Sequence, residues 1–154
     1  MHLLKVGDIV EVTTGELAYG GDAVARHEGL AVFVQFAAPG ERLRIRITEI
    51  KKNFARGVIH ELLARSASRR EPPCRYFGAC GGCQLQHINY QTQLEAKTGF
   101  IRDALKRVGR IDWPREIAIK HAAEFGYRAR AQVKIERGDE STTRIGFARA
   151  GSRS

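Results

Sequence analysis

The sequence predicts a β-rich α+β protein, in which a small β-barrel is followed by a small α+β domain that carries a cysteine loop. Three observations support this prediction. Short apolar segments separated by glycine-containing turns fill residues 6–59, all three cysteines lie between Cys74 and Cys83, and a single helical pattern follows them. A chain of 154 residues has room for one domain or two small ones.

The barrel strands are predicted from apolar segments that end in turns. The first strand begins within residues 6–12, and a turn that needs glycine backbone freedom follows at 19–22. Residues 30–34 form an apolar run of strand length, a second turn falls at 39–40, and residues 54–59 provide the last strand. Five short strands in this space are typical of a small barrel.

The strand at residues 42–47 has the clearest pattern, because apolar and basic side chains alternate along it. Successive side chains of a strand point to opposite faces, so one set enters a core and the other lines an outer face. The predicted core set is Leu43, Ile45 and Ile47, and the predicted outer set is Arg42, Arg44 and Arg46.

Residues 65–73 are polar and end in two prolines, which is typical of a linker. We therefore predict a barrel domain at 1–64, a linker at 65–73 and a second domain at 74–154. In that second domain Asn89 is a candidate N-cap for a helix that runs to about Val108 and stops at Gly109. The apolar face expected for this helix comprises Leu94, Ile101, Leu105 and Val108.

A second basic strand is predicted from Arg128 to Glu136, followed by a polar turn and a return strand through Ile145 and Phe147. This hairpin would have one apolar face and one largely basic face. The basic face would present Arg128, Arg130 and Lys134.

The net charge of +9 is unevenly distributed. Residues 1–64 contain 8 basic and 8 acidic residues, whereas residues 65–154 contain 18 basic and 9 acidic ones. Such a basic half favours a polyanionic partner, although scattered surface charge on a basic protein is the simpler alternative. With no leader peptide and no apolar run long enough to span a bilayer, we expect a cytoplasmic protein without membrane contact.

The cysteine loop has the spacing of a metal site. Cys80 and Cys83 are separated by Gly81 and Gly82, and Cys74 lies six residues before Cys80. Soft thiolates select iron–sulfur clusters or zinc, so Cys74, Cys80 and Cys83 are the candidate ligands. Three thiolates leave the set one ligand short. His87 would complete a Cys₃His zinc site, and a packed histidine or a group of redox cysteines are the alternatives.

Residues 5–60 resemble a TRAM domain, an OB-like β-barrel that binds RNA. The resemblance lies in residues 17–26, Gly29, the run 32–34 and the turn 39–41. The cysteine loop also resembles that of RNA uracil-5-methyltransferases that carry a [4Fe-4S] cluster. That second resemblance extends through Gln86, His87, Tyr90, Gln93, Lys97, residues 126–131 and residues 145–147, which are similar to the start of the central domain in that family.

This resemblance implies the RNA-recognition part of an S-adenosylmethionine-dependent methyltransferase that forms 5-methyluridine, of the 23S rRNA type. It implies a monomer that binds RNA. The basic faces of the two predicted strands are the candidate RNA contacts, with simple solvation of those faces as the alternative; they present Arg42, Arg44, Arg46, Arg128, Arg130 and Lys134. The three cysteines would hold a [4Fe-4S] cluster whose fourth ligand lies outside this chain. S-adenosylmethionine would bind only to the full-length enzyme.

The family's Rossmann-like catalytic domain, its nucleophilic cysteine and its acidic base have no counterpart in this sequence, so we assign no catalytic residue. No cysteine follows Cys83, and no glycine-rich turn fits a nucleotide. We expect the chain to be the N-terminal part of such an enzyme, either a shortened gene product or an isolated piece, and to be inactive alone. A stand-alone RNA-binding or zinc-binding structural module is the alternative.

Overall fold

A computed structural model describes residues 4–138 and 142–152. Its first five strands are β1 (Ile9–Leu17), β2 (Ala23–His27), β3 (Leu30–Gln35), β4 (Arg42–Ile50) and β5 (Phe54–Ala64). They close into a barrel in the order β1-β2-β3-β5-β4. All neighbours are antiparallel except β3 and β5, which run parallel. The predicted five-stranded barrel is thus confirmed.

The alternation predicted for β4 is also confirmed. Leu43, Ile45 and Ile47 are at most 1% exposed, while the arginines between them face solvent. Burying each of these apolar side chains contributes about 1.5–3 kcal/mol to stability. The remaining core comes mainly from β2, β3 and β5, through Ala23, Ala25, Val32, Val34 and Ala55.

The turn between β1 and β2 is formed by two glycines with left-handed backbone. Gly20 has φ of 101° and Gly21 has φ of 99°. The turn is closed by hydrogen bonds from Ala18 N–H to Asp22 O (2.8 Å) and from Gly21 N–H to Ala18 O (2.9 Å). Residues other than glycine rarely adopt this conformation, which explains why two glycines occupy this turn.

The predicted linker segment is not a free tether. Asn89 N–H donates to Ser68 O (2.8 Å) and Arg70 N–H donates to His87 O (2.9 Å), so residues 68–70 run beside residues 87–89. Ile88 is fully buried and joins the barrel core. Residues 65–73 contain no helix and no long strand, and side-chain and backbone hydrogen bonds hold residues 68–70 in place. The division into residues 1–64, 65–73 and 74–154 remains a prediction.

Helix α1 spans Tyr90–Arg107, as predicted. The Asn89 side chain accepts a hydrogen bond from Thr92 N–H (2.9 Å), which is the expected N-cap interaction. At the other end Val108 N–H and Gly109 N–H both donate to Ala104 O. The left-handed residue of this turn is Arg110, with φ of 52°, whereas Gly109 is needed because a Cβ there would lie 2.9 Å from Leu105 O.

The apolar face predicted for α1 is only partly correct. Leu94 is buried, and Phe100 packs against the barrel core, but Ile101 is 49% exposed and Val108 is 85% exposed. The packed face of the helix therefore includes Leu94 and Phe100, whereas Ile101 and Val108 are exposed. Helical periodicity defines a face but does not show which of its residues meet a packing partner.

The C-terminal hairpin consists of β6 (Lys134–Arg137) and β7 (Thr143–Gly146), with Ile135 paired to Ile145. The prediction of a strand from Arg128 was wrong, because residues 128–133 have no strand structure. Phe147 lies just beyond β7, and the predicted turn includes residues 139–141, which lie outside the described residues. Ile135 and Ile145 are about two-thirds exposed at 70% and 67%. Nothing described covers the apolar face, and an isolated two-stranded sheet is marginally stable.

Across residues 4–138 and 142–152, the structure contains no helix with the length and apolar character needed to cross a bilayer.

Candidate nucleic-acid interface and cysteine loop

The arginine row of β4, formed by Arg42, Arg44 and Arg46, lies on the outer surface of the barrel, as predicted. Neighbouring strands supply a partner for each guanidinium. Arg42 lies 3.3 Å from Glu11 of β1, Arg44 lies 2.9 Å from Glu61 of β5, and Arg46 contacts His60 Nδ1 at 3.4 Å. Exposed ion pairs contribute only about 0–1 kcal/mol, so a phosphate could displace these carboxylates at small cost.

The second predicted set, Arg128, Arg130 and Lys134, does not form a row on one strand. Only Lys134 belongs to β6, and the other two lie in the irregular segment before it. Arg128 stacks over its neighbour Tyr127, with the guanidinium carbon 5.7 Å from the ring centroid. The pattern of alternation is present in the sequence, but the strand that would align these side chains is not formed. Their contact with RNA remains a prediction.

The three cysteines are free thiols on a loop built from tight turns. Cys74 and Cys83 are exposed and Cys80 is half-buried. Phe77 N–H donates to Cys74 O (3.0 Å), Cys80 N–H donates to Tyr76 O (2.8 Å), and Gly82 N–H points at Cys80 Sγ (3.4 Å).

Residues 148–150 run alongside this loop. Gly81 N–H donates to Ala148 O (2.8 Å), and Ala150 N–H donates to Ala79 O (2.9 Å). A Cβ at Gly81 would lie 3.0 Å from two backbone oxygens of this segment, so a larger residue would push it away. The loop therefore has a defined backbone supported by a distant part of the chain.

The donor chemistry of the loop suits an iron–sulfur cluster or zinc, but the donors are not gathered around one point. Within the described ranges no three Cys, His, Asp or Glu side chains are arranged to share a metal ion. The loop as folded here offers three thiols of the right kind without the converged geometry of a closed site.

His87 is a packed histidine rather than a partner of the cysteines. It is 1% exposed and lies beside the rings of Phe36 and Phe77, with centroids 6.1 and 5.6 Å away. Its Nε2 lies 3.1 Å from Ala37 O, whereas Nδ1 has no partner among the described residues. Burial lowers the pKa of His87, and the hydrogen bond to Ala37 offsets this only in part. The ring is therefore neutral and packs between Phe77 of the cysteine loop and Phe36 of the barrel.

A buried ion pair joins the same two parts of the chain. Glu41 is fully buried directly before β4, and the Arg69 guanidinium binds its carboxylate through Nε and through Nη2 (2.8 Å). Ala38 N–H donates a further hydrogen bond of 2.8 Å. Burial alone would raise the pKa of Glu41, but these hydrogen bonds and the arginine charge lower it below its ordinary value. Sequence analysis missed this pair, since nothing local connects residues 28 positions apart.

The next residue, Arg70, binds on the opposite side. Its guanidinium contacts Glu124 through two hydrogen bonds, one of 2.9 Å, and Arg70 Nε donates to Gln86 O (3.0 Å). Gln93 of α1 also donates to Glu124 (3.1 Å). The hydrogen bonds from Arg70 lower the pKa of Glu124. Arg69 and Arg70 thus connect the barrel, the cysteine loop, the helix and the segment around residue 124.

Comparison with known proteins identifies the barrel first. Residues 3–59 match the family model of the TRAM domain. These residues contain all of β1 to β4 and the first part of β5, up to Ile59. The barrel of this chain is a TRAM domain.

The chain as a whole is homologous to proteins named RNA methyltransferases. It is 40% identical over 141 residues to an uncharacterized RNA methyltransferase of Aquifex aeolicus, covering 91% of this chain and 32% of that protein. It is 38% identical over 138 residues to the 23S rRNA (uracil(1939)-C(5))-methyltransferase RlmD of Halomonas elongata, covering 89% of this chain and 28% of that protein. The chain spans about a third of the length of the curated relatives it matches.

Among solved structures, the chain matches the crystal structure of Pyrococcus abyssi tRNA (uracil-54, C5)-methyltransferase in complex with S-adenosyl-L-homocysteine. That match has a TM-score of 0.41 and 29% identity, and it covers 61% of this chain and 21% of the other.

Proposed function

We propose that this chain is the RNA-recognition part of an S-adenosylmethionine-dependent RNA (uracil-5-)-methyltransferase that forms 5-methyluridine in 23S rRNA. The observation that carries this proposal is the continuous similarity over 138 residues to a 23S rRNA uracil-C5 methyltransferase, which includes both the TRAM barrel and the cysteine loop. In this proposal S-adenosylmethionine and the catalytic residues belong to the part of the full-length enzyme that this chain does not match. The same similarity disfavours a stand-alone structural module.

The barrel would contact RNA mainly through phosphates. TRAM domains bind RNA, and the β4 row presents three guanidinium groups along one strand. Guanidinium groups bind phosphate oxygens in bidentate fashion without reading the base. Binding through Arg42, Arg44 and Arg46 would therefore show little sequence preference. Arg128, Arg130 and Lys134 are proposed as further contacts from the segment around β6.

We also propose that Cys74, Cys80 and Cys83 hold a [4Fe-4S] cluster with a fourth ligand from outside this chain. The bound cluster would supply a structural anchor for the loop, and the chain's own residues would hold that loop against the barrel. Residues 148–150 support the loop backbone through the hydrogen bonds of Gly81 and Ala150. Free thiols suit a reducing compartment, and we propose a cytoplasmic monomer.

Salt-dependent binding tests the RNA proposal. If phosphate contacts dominate, the logarithm of the affinity for single-stranded RNA falls linearly with the logarithm of salt concentration, by about 0.7 per contact. The variant Arg42→Gln/Arg44→Gln/Arg46→Gln should flatten that slope by about two. Its circular dichroism spectrum should match that of the wild type, because the core side chains between the arginines are unchanged. An unchanged slope in the folded variant would reject the β4 row as an RNA contact.

A methyl-transfer assay tests the proposal that this chain binds RNA but does not catalyse methyl transfer. The chain alone should bind RNA yet transfer no labelled methyl group from S-adenosylmethionine to it. Methyl transfer by the purified chain, or calorimetric binding of S-adenosylmethionine, would show that the reaction chemistry lies within these residues after all.

A further inference from the structure

The outer face of helix α1 carries basic side chains that have no ion-pair partner within residues 4–138 and 142–152. Arg102 and Lys106 lie one turn apart on this face, and Arg110 follows in the turn after the helix. All three are exposed. None forms an ion pair or side-chain hydrogen bond with any residue that the structure describes. We call these three residues the α1 ridge.

The α1 ridge differs from the β4 row in this respect. In the β4 row, Arg42 and Arg44 each face a carboxylate on a neighbouring strand, so their charges are already partly compensated. Arg46 has a hydrogen-bond partner in His60. In the ridge, Arg102 and Lys106 are like charges at a spacing of four residues, an arrangement that destabilises a helix. The helix dipole favours Lys106 in the last turn, but that effect fades within one turn and does not explain Arg102.

A glycine on the same face gives an independent indication. Gly99 lies in the middle of α1, three residues before Arg102. A Cβ built there would meet no heavy atom within 4 Å outside the local helix backbone, so packing does not require a glycine. Glycine within a helix is less stable than alanine, and its common use is to let another backbone approach closely. Gly99 therefore leaves a flat patch of helix surface beside the ridge.

The opposite face of α1 is occupied, because Leu94 and Phe100 pack against the barrel. We propose that the outer face of α1 is a second RNA-backbone site, in which phosphates contact Arg102, Lys106 and Arg110 and the sugar–phosphate chain passes over Gly99. This inference rests on the proposed RNA-binding function. It adds a contact at charges without ion-pair partners among the described residues, in a helix that the alternating basic pattern of the sequence did not indicate.

Salt-dependent binding of a single-stranded oligouridylate tests the ridge. The oligonucleotide should be longer than the ~4–16 nucleotides that one OB-like fold covers. We expect the variant Arg102→Gln/Lys106→Gln/Arg110→Gln to flatten the slope of log affinity against log salt by about two. The matched control, Lys5→Gln/Lys51→Gln/Lys52→Gln, removes the same charge from exposed loops of the barrel and should leave the slope nearly unchanged.

Two substitutions of Gly99 test the flat patch separately. Gly99→Ala and Gly99→Leu should both raise the melting temperature, because both residues favour a helix more than glycine does. Only the bulkier leucine should weaken RNA binding, by tenfold or more, while the alanine variant should bind nearly as well as the wild type. A gain in stability together with a loss of affinity cannot come from unfolding of the helix.

The outcomes separate this inference from the proposed function. If the wild-type chain does not bind RNA, the proposed function fails and the ridge fails with it. If the wild type binds but the ridge variant keeps its slope, or loses no more than the lysine control, the ridge is rejected and RNA binding by the barrel stands. Competition by polyglutamate as effective as that by RNA at equal charge would assign the ridge to an acidic protein and overturn the inference.

Discussion

Replacing Arg69 by methionine should destabilise the fold strongly, because it leaves the Glu41 carboxylate buried without its counter-charge. Arg69 donates two hydrogen bonds to this fully buried carboxylate, and it also donates to Phe36 O (2.8 Å). Breaking one side of a buried ion pair costs about 3–5 kcal/mol. The Arg69 side chain is 17% exposed, so water can partly replace it, and we expect about 3 kcal/mol at pH 7.

Protonation of Glu41 limits this cost and makes it depend on pH. A glutamate with an ordinary pKa of about 4.3 can be neutralised at pH 7 for about 3.7 kcal/mol, but at pH 5 for only about 1 kcal/mol. In the variant the folded-state pKa of Glu41 is raised above its unfolded value, so the penalty is present at neutral pH and diminishes as the pH falls towards 4 to 5. In the wild type the pKa is lowered, so Glu41 stays ionised over this range.

Urea unfolding followed by circular dichroism at pH 7 and pH 5 measures both quantities. Arg65→Met provides the matched control, since Arg65 is exposed in the same segment and makes one hydrogen bond, to Arg69 O (3.2 Å). We expect the control to change stability by no more than about 0.5 kcal/mol. An unfolding free energy of Arg69→Met within about 1 kcal/mol of that of the control at pH 7, or a loss of stability that is no smaller at pH 5, would contradict this prediction.

Three further predictions concern the contact between the barrel and the cysteine loop. Gly21→Ala should cost about 1 kcal/mol more than Gly20→Ala. Both glycines have left-handed backbone, but only Gly21 approaches the cysteine loop, since a Cβ added to it would lie 3.0 Å from Gln84 Cβ. Equal losses of melting temperature in the two variants would show that this close approach does not affect stability. The free energy of unfolding of the wild type should decrease as the pH drops below about 6.5, because the unfolded chain binds a proton at His87 while the buried ring of the folded state stays neutral. The variant His87→Gln should show a flatter dependence of stability on pH in this range. Anaerobic reconstitution should give a brown, air-labile iron–sulfide chromophore that each Cys→Ser variant weakens, whereas stoichiometric zinc without sulfide would contradict the cluster.

Local sequence signals predicted the parts of the fold that local interactions determine. The alternation along β4 places Leu43 in the core and Arg44 outside without reference to any other strand. Asn89 caps its helix through an amide only three residues away. The same logic failed for residues 128–133, where apolar and basic side chains alternate but nothing in the described structure covers the apolar side. Alternation predicts which face a strand would bury, and burial needs a partner that the pattern does not contain.

In the candidate site, too, the locally determined features were predicted and the contacts between distant residues were not. The cysteines are conspicuous because their spacing is local, and the arginine row is conspicuous because it repeats. Glu41 and Arg69 meet across 28 residues, and His87 reaches Ala37 across 50. Such contacts depend on the closed barrel and on the docking of residues 68–70, neither of which a single sequence specifies at the level of side chains. The lack of partners at Arg102 could likewise be recognised only after the ion pairs of the described residues were known.

Adjacent side chains of an extended segment point in opposite directions, and the Arg69–Arg70 dipeptide uses this to bind Glu41 on one side and Glu124 on the other. Such a double attachment has a consequence for multivalent binding. If the barrel and α1 each contact one RNA strand, a fixed spacing between them means that the first contact already places the second near its phosphates. The effective concentration for that second contact is then set by the fixed distance between the two sites rather than by the length of a flexible linker. Two weak electrostatic contacts can thus give strong binding together. Loosening residues 68–70 would separate them again, so that RNA affinity would fall even though no RNA-contacting residue had changed.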